Sequence, residues 1–117
     1  MVNQASALQR GQVVWVDLDP ALGSEASGRR PALVISSDEN NKFMPTLTIA
    51  PLTSSVKKLY PFEVFVEGTE VGLTKDSKVQ VQQMRTLSRE RVVASIGVAG
   101  VTTMLLVDEA IKLHLGL

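Results

Sequence analysis

Apolar and polar positions run in short bursts along most of the chain and settle into helical spacing only at its end. "QVVWVDL" (12–18) is valine-rich with a tryptophan, the composition of a strand. "ALVISS" (32–37) is a continuous apolar run that predicts a strand buried on both sides. "TLTIAPL" (46–52) and "FEVFVE" (62–67) alternate, and "KVQVQQM" (78–84) alternates with valines inward and glutamines outward. "SRERV" after Ser88 predicts a short helical turn capped by that serine, and "ASIGVAG" a small strand or turn closing the sheet. In "TTMLLVDEAIKLHL", Met104, Val107, Ile111 and Leu115 fall on one helical face, with Leu106, Ala110 and Leu113 beside them. Thr102 or Thr103 caps this helix, Asp108 and Lys112 form an i,i+4 pair, and Gly116 ends it.

Between these elements lie segments that read as connections: a frayed lead-in (1–9), a long loop "DPALGSEASGRRP" (19–31), a polar link "DENNKFMP" (38–45), "TSSVKKLYP" (53–61) and the turn-rich "GTEVGLTKDS" (68–77). Five or six strands in succession followed by one helix, with no β-α alternation, argue against a doubly wound parallel sheet. They predict a mainly β fold: a small, strongly bent antiparallel sheet or barrel with a C-terminal helix against it. At 117 residues the chain is expected to form one domain spanning 1–117.

Composition removes several classes of chemistry. The chain has no cysteine and one histidine, His114, in the terminal helix, so thiolate nucleophiles, zinc–thiolate sites and paired-histidine acid–base work are absent. The carboxylates form no recognisable metal cluster, and no phosphate-binding glycine loop appears. No cofactor or metal is expected. No signal peptide or membrane-length apolar run is present, which is compatible with the cytoplasm. Formal net charge is zero, so a nucleic-acid partner needs a local basic patch.

Polar residues at strand ends and in loops remain: Ser24, Glu25, Arg29, Arg30, Asn41, Lys42, Thr53, Ser54, Lys57, Lys58, Gln82, Gln83 and Arg85. In "GRRP", Pro31 biases Arg30 toward an extended backbone at the entrance of a buried strand. Such an arginine is either a solvated loop end or an anion site. A guanidinium fork fits phosphate, and glutamine and asparagine amides suit base edges of single strands. The same residues also suit ordinary strand ends. Trp15 is expected in the core rather than as a base-stacking platform.

The ordered set "RGQVVWVDLDPALGSEASGRRPALVIS", "NNKFMPTLTIAPLTS", "YPFEV", "GLTKDSKVQVQQMRT" and "VDEAIKLHLGL" resembles the MazF/PemK family of toxins from toxin–antitoxin modules, from about Arg10 to Leu117. The resemblance implies a twisted antiparallel sheet or SH3-like barrel with a C-terminal helix, usually as a homodimer. It implies a metal-independent, sequence-specific endoribonuclease acting on single-stranded RNA, and a MazE-like antitoxin whose acidic segment covers the RNA groove. Arg30 in the "RP" motif and Thr53 in "APLTS" match the family's catalytic arginine and threonine. Ser24 and Glu25 match the "GSE" loop near the substrate, and Asn41 and Gln83 match positions that touch bases. Where some relatives carry Arg-x-Asp, this chain has Gln80-Val81-Gln82, and Ser24 stands where some have histidine.

On this reading the 2′-hydroxyl of RNA attacks the adjacent phosphorus, leaving a 2′,3′-cyclic phosphate and a 5′-hydroxyl. Arg30 and Thr53 stabilise the phosphoryl oxygens, and Glu25 is the candidate base. Lys58 and Arg85 join Ser24, Arg29, Asn41 and Gln83 as RNA-binding candidates, Lys57 and Lys58 meeting phosphates from a loop. The competing reading is a non-catalytic inhibitory toxin like the gyrase poison CcdB, against which the pairing of Arg30 with Thr53 argues.

Overall fold

The computed structural model describes residues 8–117; most of the lead-in expected over 1–9 lies outside them. Leu8 is buried in the core, so the ordered fold begins earlier than the pattern predicted.

Seven strands form one antiparallel sheet: β1 (Gln12–Asp17), β2 (Arg29–Val34), β3 (Thr46–Thr53), β4 (Glu63–Val66), β5 (Ser77–Gln80), β6 (Arg85–Ser88) and β7 (Val92–Val98). The spatial order is β4-β5-β3-β2-β1-β7, and β6 pairs with β3 off this path. Strand β3 makes this possible by being long. Its first half pairs with β6 (Thr46 with Ser88 through Ile49 with Arg85), and its end pairs with β5 (Leu52 with Val79, Thr53 with Lys78). β4 and β7 end the path without pairing to each other, so the sheet is open, bent and covered on one side by the terminal helix α3 (Val101–Leu115).

Central strands bury both faces because alternate residues enter two different cores. Val13, Leu33, Ala50, Leu52 and Val79 pack on the α3 side with Val107 and Ala110. Val14, Val16, Ala32, Val34, Leu47 and Ile49 form the second cluster on the other side. The run "ALVI" therefore has the two-sided burial its composition predicts.

Several boundaries differ from the pattern. β2 begins at Arg29, not Ala32, because β1 extends a partner for each residue: Trp15 for Pro31, Val16 for Arg30 and Asp17 for Arg29. β3 runs through Pro51 to Thr53, so Thr53 is a strand residue and not a turn residue. The link 38–45 contains a helix, α1 (Asp38–Phe43), capped by the Ser37 side chain, which accepts from the Asn40 N–H. The turn-rich segment contains a second, α2 (Gly68–Val71). "KVQVQQM" is a strand only to Gln80; Val81–Gln83 is a single 3₁₀ turn, so Gln82 and Gln83 lie beyond the predicted alternation. The Ser88-capped turn over Arg89–Arg91 is present as expected.

In α3, Gly100 occupies the cap position in place of either threonine, and Thr103 is buried, donating to the Glu70 carboxylate. Asp108 pairs with Arg10 across the fold, and Lys112 with Glu109, so the expected Asp108–Lys112 pair does not form. Leu106, Leu113 and Leu115 are exposed. Gly116 ends the helix in the left-handed region, φ 73°, as its residue type predicts.

β7 crosses α2 at Gly97, where a Cβ would stand 2.5 Å from the Val71 carbonyl oxygen. Both sides of that contact are backbone and cannot rotate away. Gly97→Ala is expected to destabilise the fold by about 1–3 kcal/mol, measured by urea denaturation; an unchanged midpoint would contradict the close crossing.

Candidate active site

The register places the key residues in one transverse row. β2 and β3 pair Val34 with Ile49, Leu33 with Ala50 and Ala32 with Pro51. Carried two residues outward, the same register sets Arg30 across from Thr53. On the far side of Thr53 stands Lys78, and beyond it Phe65. Arg30, Thr53 and Lys78 thus come from three neighbouring strands and share a face of the sheet. Arg29 points to the other face, with Pro31 and Trp15.

Two depressions meet at this row, and Arg30 and Thr53 line both. The larger, about 390 Å³, is bordered by Trp15, Arg29, Pro31, Leu73 and Lys75. The smaller, about 220 Å³, is bordered by Ser24, Glu25, Lys78, Gln80 and Gln83. Trp15 is 38% exposed. It is not the core residue expected from its strand, because its face at that end of β1 is left open beyond α3. Four cations (Arg29, Arg30, Lys75 and Lys78) and one carboxylate (Glu25) line the two depressions. The neutral chain therefore carries a locally basic cleft.

The candidate groups are held with donors free. Arg30 donates its Nε–H to the Ser27 carbonyl at 2.9 Å, which fixes the guanidinium plane and leaves its terminal nitrogens uncommitted among the described residues. The Thr53 hydroxyl oxygen accepts the Ser55 N–H at 3.2 Å, so its own proton can be donated to a ligand. Glu25 accepts the Leu22 N–H on one carboxylate oxygen and is exposed at the cleft.

The loop carrying Ser24 and Glu25 is tied down at its neck and at its tip. Leu18 N–H donates to the Gly28 carbonyl, and Gly28 N–H to Asp19. Arg85 and Arg91 reach the Leu18, Asp17 and Asp19 carbonyls. Gln83 then clamps the tip: its carbonyl accepts from Ala26 N–H and its amide donates to the Ser24 carbonyl, both at 3.1 Å. Gln83→Leu removes both bonds, each contributing about 1 kcal/mol. Amide exchange at Ala26 should then accelerate about tenfold or more; unchanged exchange would show that Gln83 does not hold the loop.

The remaining candidates divide. Arg85 borders a third hollow beside Gln82, Gln83 and Glu25. Lys58 is exposed on the loop after β3 and borders none of the three hollows described. Asn41 is 1% exposed, and its side chain is committed to Ser36 and Asn40. It fastens α1 to the sheet and is not brought to the cleft. Among the described residues no group of three or more histidine, cysteine or acidic side chains could hold a metal, and no helix is long and apolar enough to cross a membrane.

Sequence reasoning missed the buried pair of Lys78 and Glu63, each 6% exposed, with Nζ 2.8 Å from the carboxylate. Glu63 also accepts from Tyr60 N–H and the Gln82 amide. Burial alone would raise its carboxyl, but the bonds from Lys78, Gln82 and the Tyr60 backbone, with the Lys78 charge, outweigh it and lower the pKa below the usual value.

A family model described as "PemK-like, MazF-like toxin of type II toxin-antitoxin system" matches residues 9–115. The chain is 43% identical over 115 residues to the endoribonuclease MazF9 of Mycobacterium tuberculosis, covering 94% of this chain and 98% of that protein. Among solved structures it is similar to MazF of Deinococcus radiodurans, with TM-score 0.84, 29% identity and coverage of 96% and 99%. It is also similar to a MazE–MazF structure from the same organism, with TM-score 0.77, 29% identity and the same coverage. Strand order, terminal helix, cleft and these matches together lead to one conclusion: the chain belongs to the PemK/MazF family of toxins of type II toxin–antitoxin systems.

Proposed function

We propose that this protein, an endoribonuclease toxin by family, cuts single-stranded RNA at the row formed by Arg30 and Thr53, without a metal ion. The observation that carries this reading is the basic cleft in a chain of zero net charge, with Arg30 and Thr53 lining both of its halves. RNA supplies its own nucleophile: the 2′-oxygen bonds to the adjacent phosphorus, the bond to the 5′-oxygen breaks, and a 2′,3′-cyclic phosphate and a 5′-hydroxyl result. Arg30 and Thr53 donate to the phosphoryl oxygens as charge builds on them. The Glu25 carboxylate oxygen with no partner among the described residues accepts the 2′-hydroxyl proton, and solvent water supplies the proton taken up by the departing 5′-oxygen.

Ser24, Arg29, Gln83 and Arg85 bind or shape the path of the strand, and Lys58 meets phosphates beyond the cleft. Arg29, exposed on the opposite face from Arg30, contributes charge and not chemistry. A MazE-like antitoxin with an acidic segment fits the same basic cleft, as the antitoxin-bound solved relative suggests. A cytoplasmic homodimer, each copy a single domain over 1–117, completes the proposal. Incubation with a long single-stranded RNA should yield discrete fragments. Intact RNA under conditions where the protein is folded would favour a non-catalytic inhibitory toxin.

A further inference from the structure

Lys78 is the least expected residue of the cleft. A lysine seldom lies 6% exposed in a strand, and this one is aimed with unusual care. Its Nζ donates to the Glu63 carboxylate at 2.8 Å and to the Lys58 carbonyl at 2.7 Å, and it lies 5.6 Å from the centre of the Tyr60 ring. The carboxylate is itself immobilised, by Tyr60 N–H on the oxygen facing Lys78 and by the Gln82 amide on the other. To do so Gln82 leaves its own buried carbonyl oxygen without a partner among the described residues. The reverse amide orientation would set that oxygen against the carboxylate. An ammonium has three donor hydrogens. Two are committed, and the third has no partner among the described residues. Lys78 is the register partner of Thr53 and lines the same depression as Arg30.

We propose that Lys78 is a phosphate-binding residue of this cleft, its third N–H held ready for a phosphate oxygen of the bound RNA strand. A compact point charge suits that role, because it carries position and not sequence. The buried Glu63 holds the ammonium in place before RNA arrives. This inference rests on the RNA-cleaving reading above.

The test uses a mixed-sequence single-stranded RNA with 2′-fluoro groups throughout, which lacks the attacking hydroxyl. Its affinity is followed by fluorescence anisotropy as salt is varied. The double variant E63Q/K78M removes both charges together and so leaves no unpaired buried ion. It should bind about fivefold more weakly at low salt, with a salt slope shallower by about 0.7, the value for one phosphate contact to a single strand. Glu63→Gln alone keeps the ammonium and an acceptor for it, and should hold the wild-type slope or exceed it. A double variant with the wild-type slope overturns the proposal, as does a Glu63→Gln protein whose slope falls as far as that of the double variant. Loss of affinity for one base sequence only, with the slope intact, also overturns it, since that marks a base contact. Wild-type protein that binds no RNA overturns the RNA-cleaving reading itself, whereas wild-type binding with an unmoved slope in the double variant overturns only the role of Lys78.

Discussion

Arg30→Ala lowers RNA cleavage by about a hundred- to a thousandfold, the cost of losing one preorganised donor to a developing oxyanion, while the protein keeps its fold and most of its affinity for RNA. The fold survives because Arg30 is half-buried at the outer end of β2 and, among the described residues, its side chain holds only the Ser27 carbonyl. The chemistry fails because Arg30 offers two uncommitted guanidinium nitrogens where Thr53 offers one hydroxyl proton, and the pair stands on adjoining strands. Arg30→Lys should not restore the rate, since a flexible point charge does not replace a planar fork. Arg29→Ala supplies the contrast. Its side chain lies on the other face of β2, so its loss should weaken binding and flatten the salt slope by about 0.7 while the rate at saturating RNA stays within about twofold. Equal losses of rate in both variants would show that the two arginines act as an undivided charge patch.

Lys78→Met alone destabilises the protein by about 3–5 kcal/mol at neutral pH, because it strands the Glu63 carboxylate in a site that is 6% exposed. Chemical denaturation at several pH values measures both the size and the sign. In the wild type the folded-state pKa of Glu63 is lowered. Its contribution is therefore fully present above the unfolded value and is lost as pH falls through the lower folded value. Without Lys78 its bond and its charge no longer lower the carboxyl, so the folded pKa rises from its wild-type position. The penalty then shrinks on acidification as Glu63 takes up a proton, so the gap between variant and wild type narrows in acid. A gap that is constant with pH would show that Glu63 stays ionised without its partner.

The strands were legible where a two-residue period or an apolar run met a turn residue, as in β1, and the terminal helix where a three-to-four spacing ended at Gly116. The short helix α1 was obscured by polar composition, although Ser37 as cap, acids in the first turn and Pro45 beyond the end were all present. Thr53 looked like a turn residue because Pro51 precedes it. Only the pairing with Lys78 shows that β3 continues. The Lys78–Glu63 pair was invisible because alternation assigns both residues an outward face, and the partners are 15 residues apart on different strands. Arg10, not Lys112, pairs with Asp108 because a tertiary partner from the start of the fold outcompetes the local one.

The motif residues Arg30, Thr53, Ser24, Glu25 and Gln83 do converge on one cleft. What no linear pattern could supply was the division of labour between them. Gln83 earns its place by clamping the loop that carries Ser24 and Glu25, and Asn41 by fastening α1.

The chemistry of the cut ends tests the central claim most directly. Purified protein is incubated with a long single-stranded RNA in excess EDTA, and the fragments are examined for their termini. Attack by the 2′-oxygen at the Arg30–Thr53 row predicts discrete fragments whose upstream ends carry 2′,3′-cyclic phosphate. Their downstream ends should be free 5′-hydroxyls, open to labelling by a polynucleotide kinase without prior dephosphorylation. Fragments bearing 5′-phosphates, or RNA left intact until a divalent ion is restored, would contradict it.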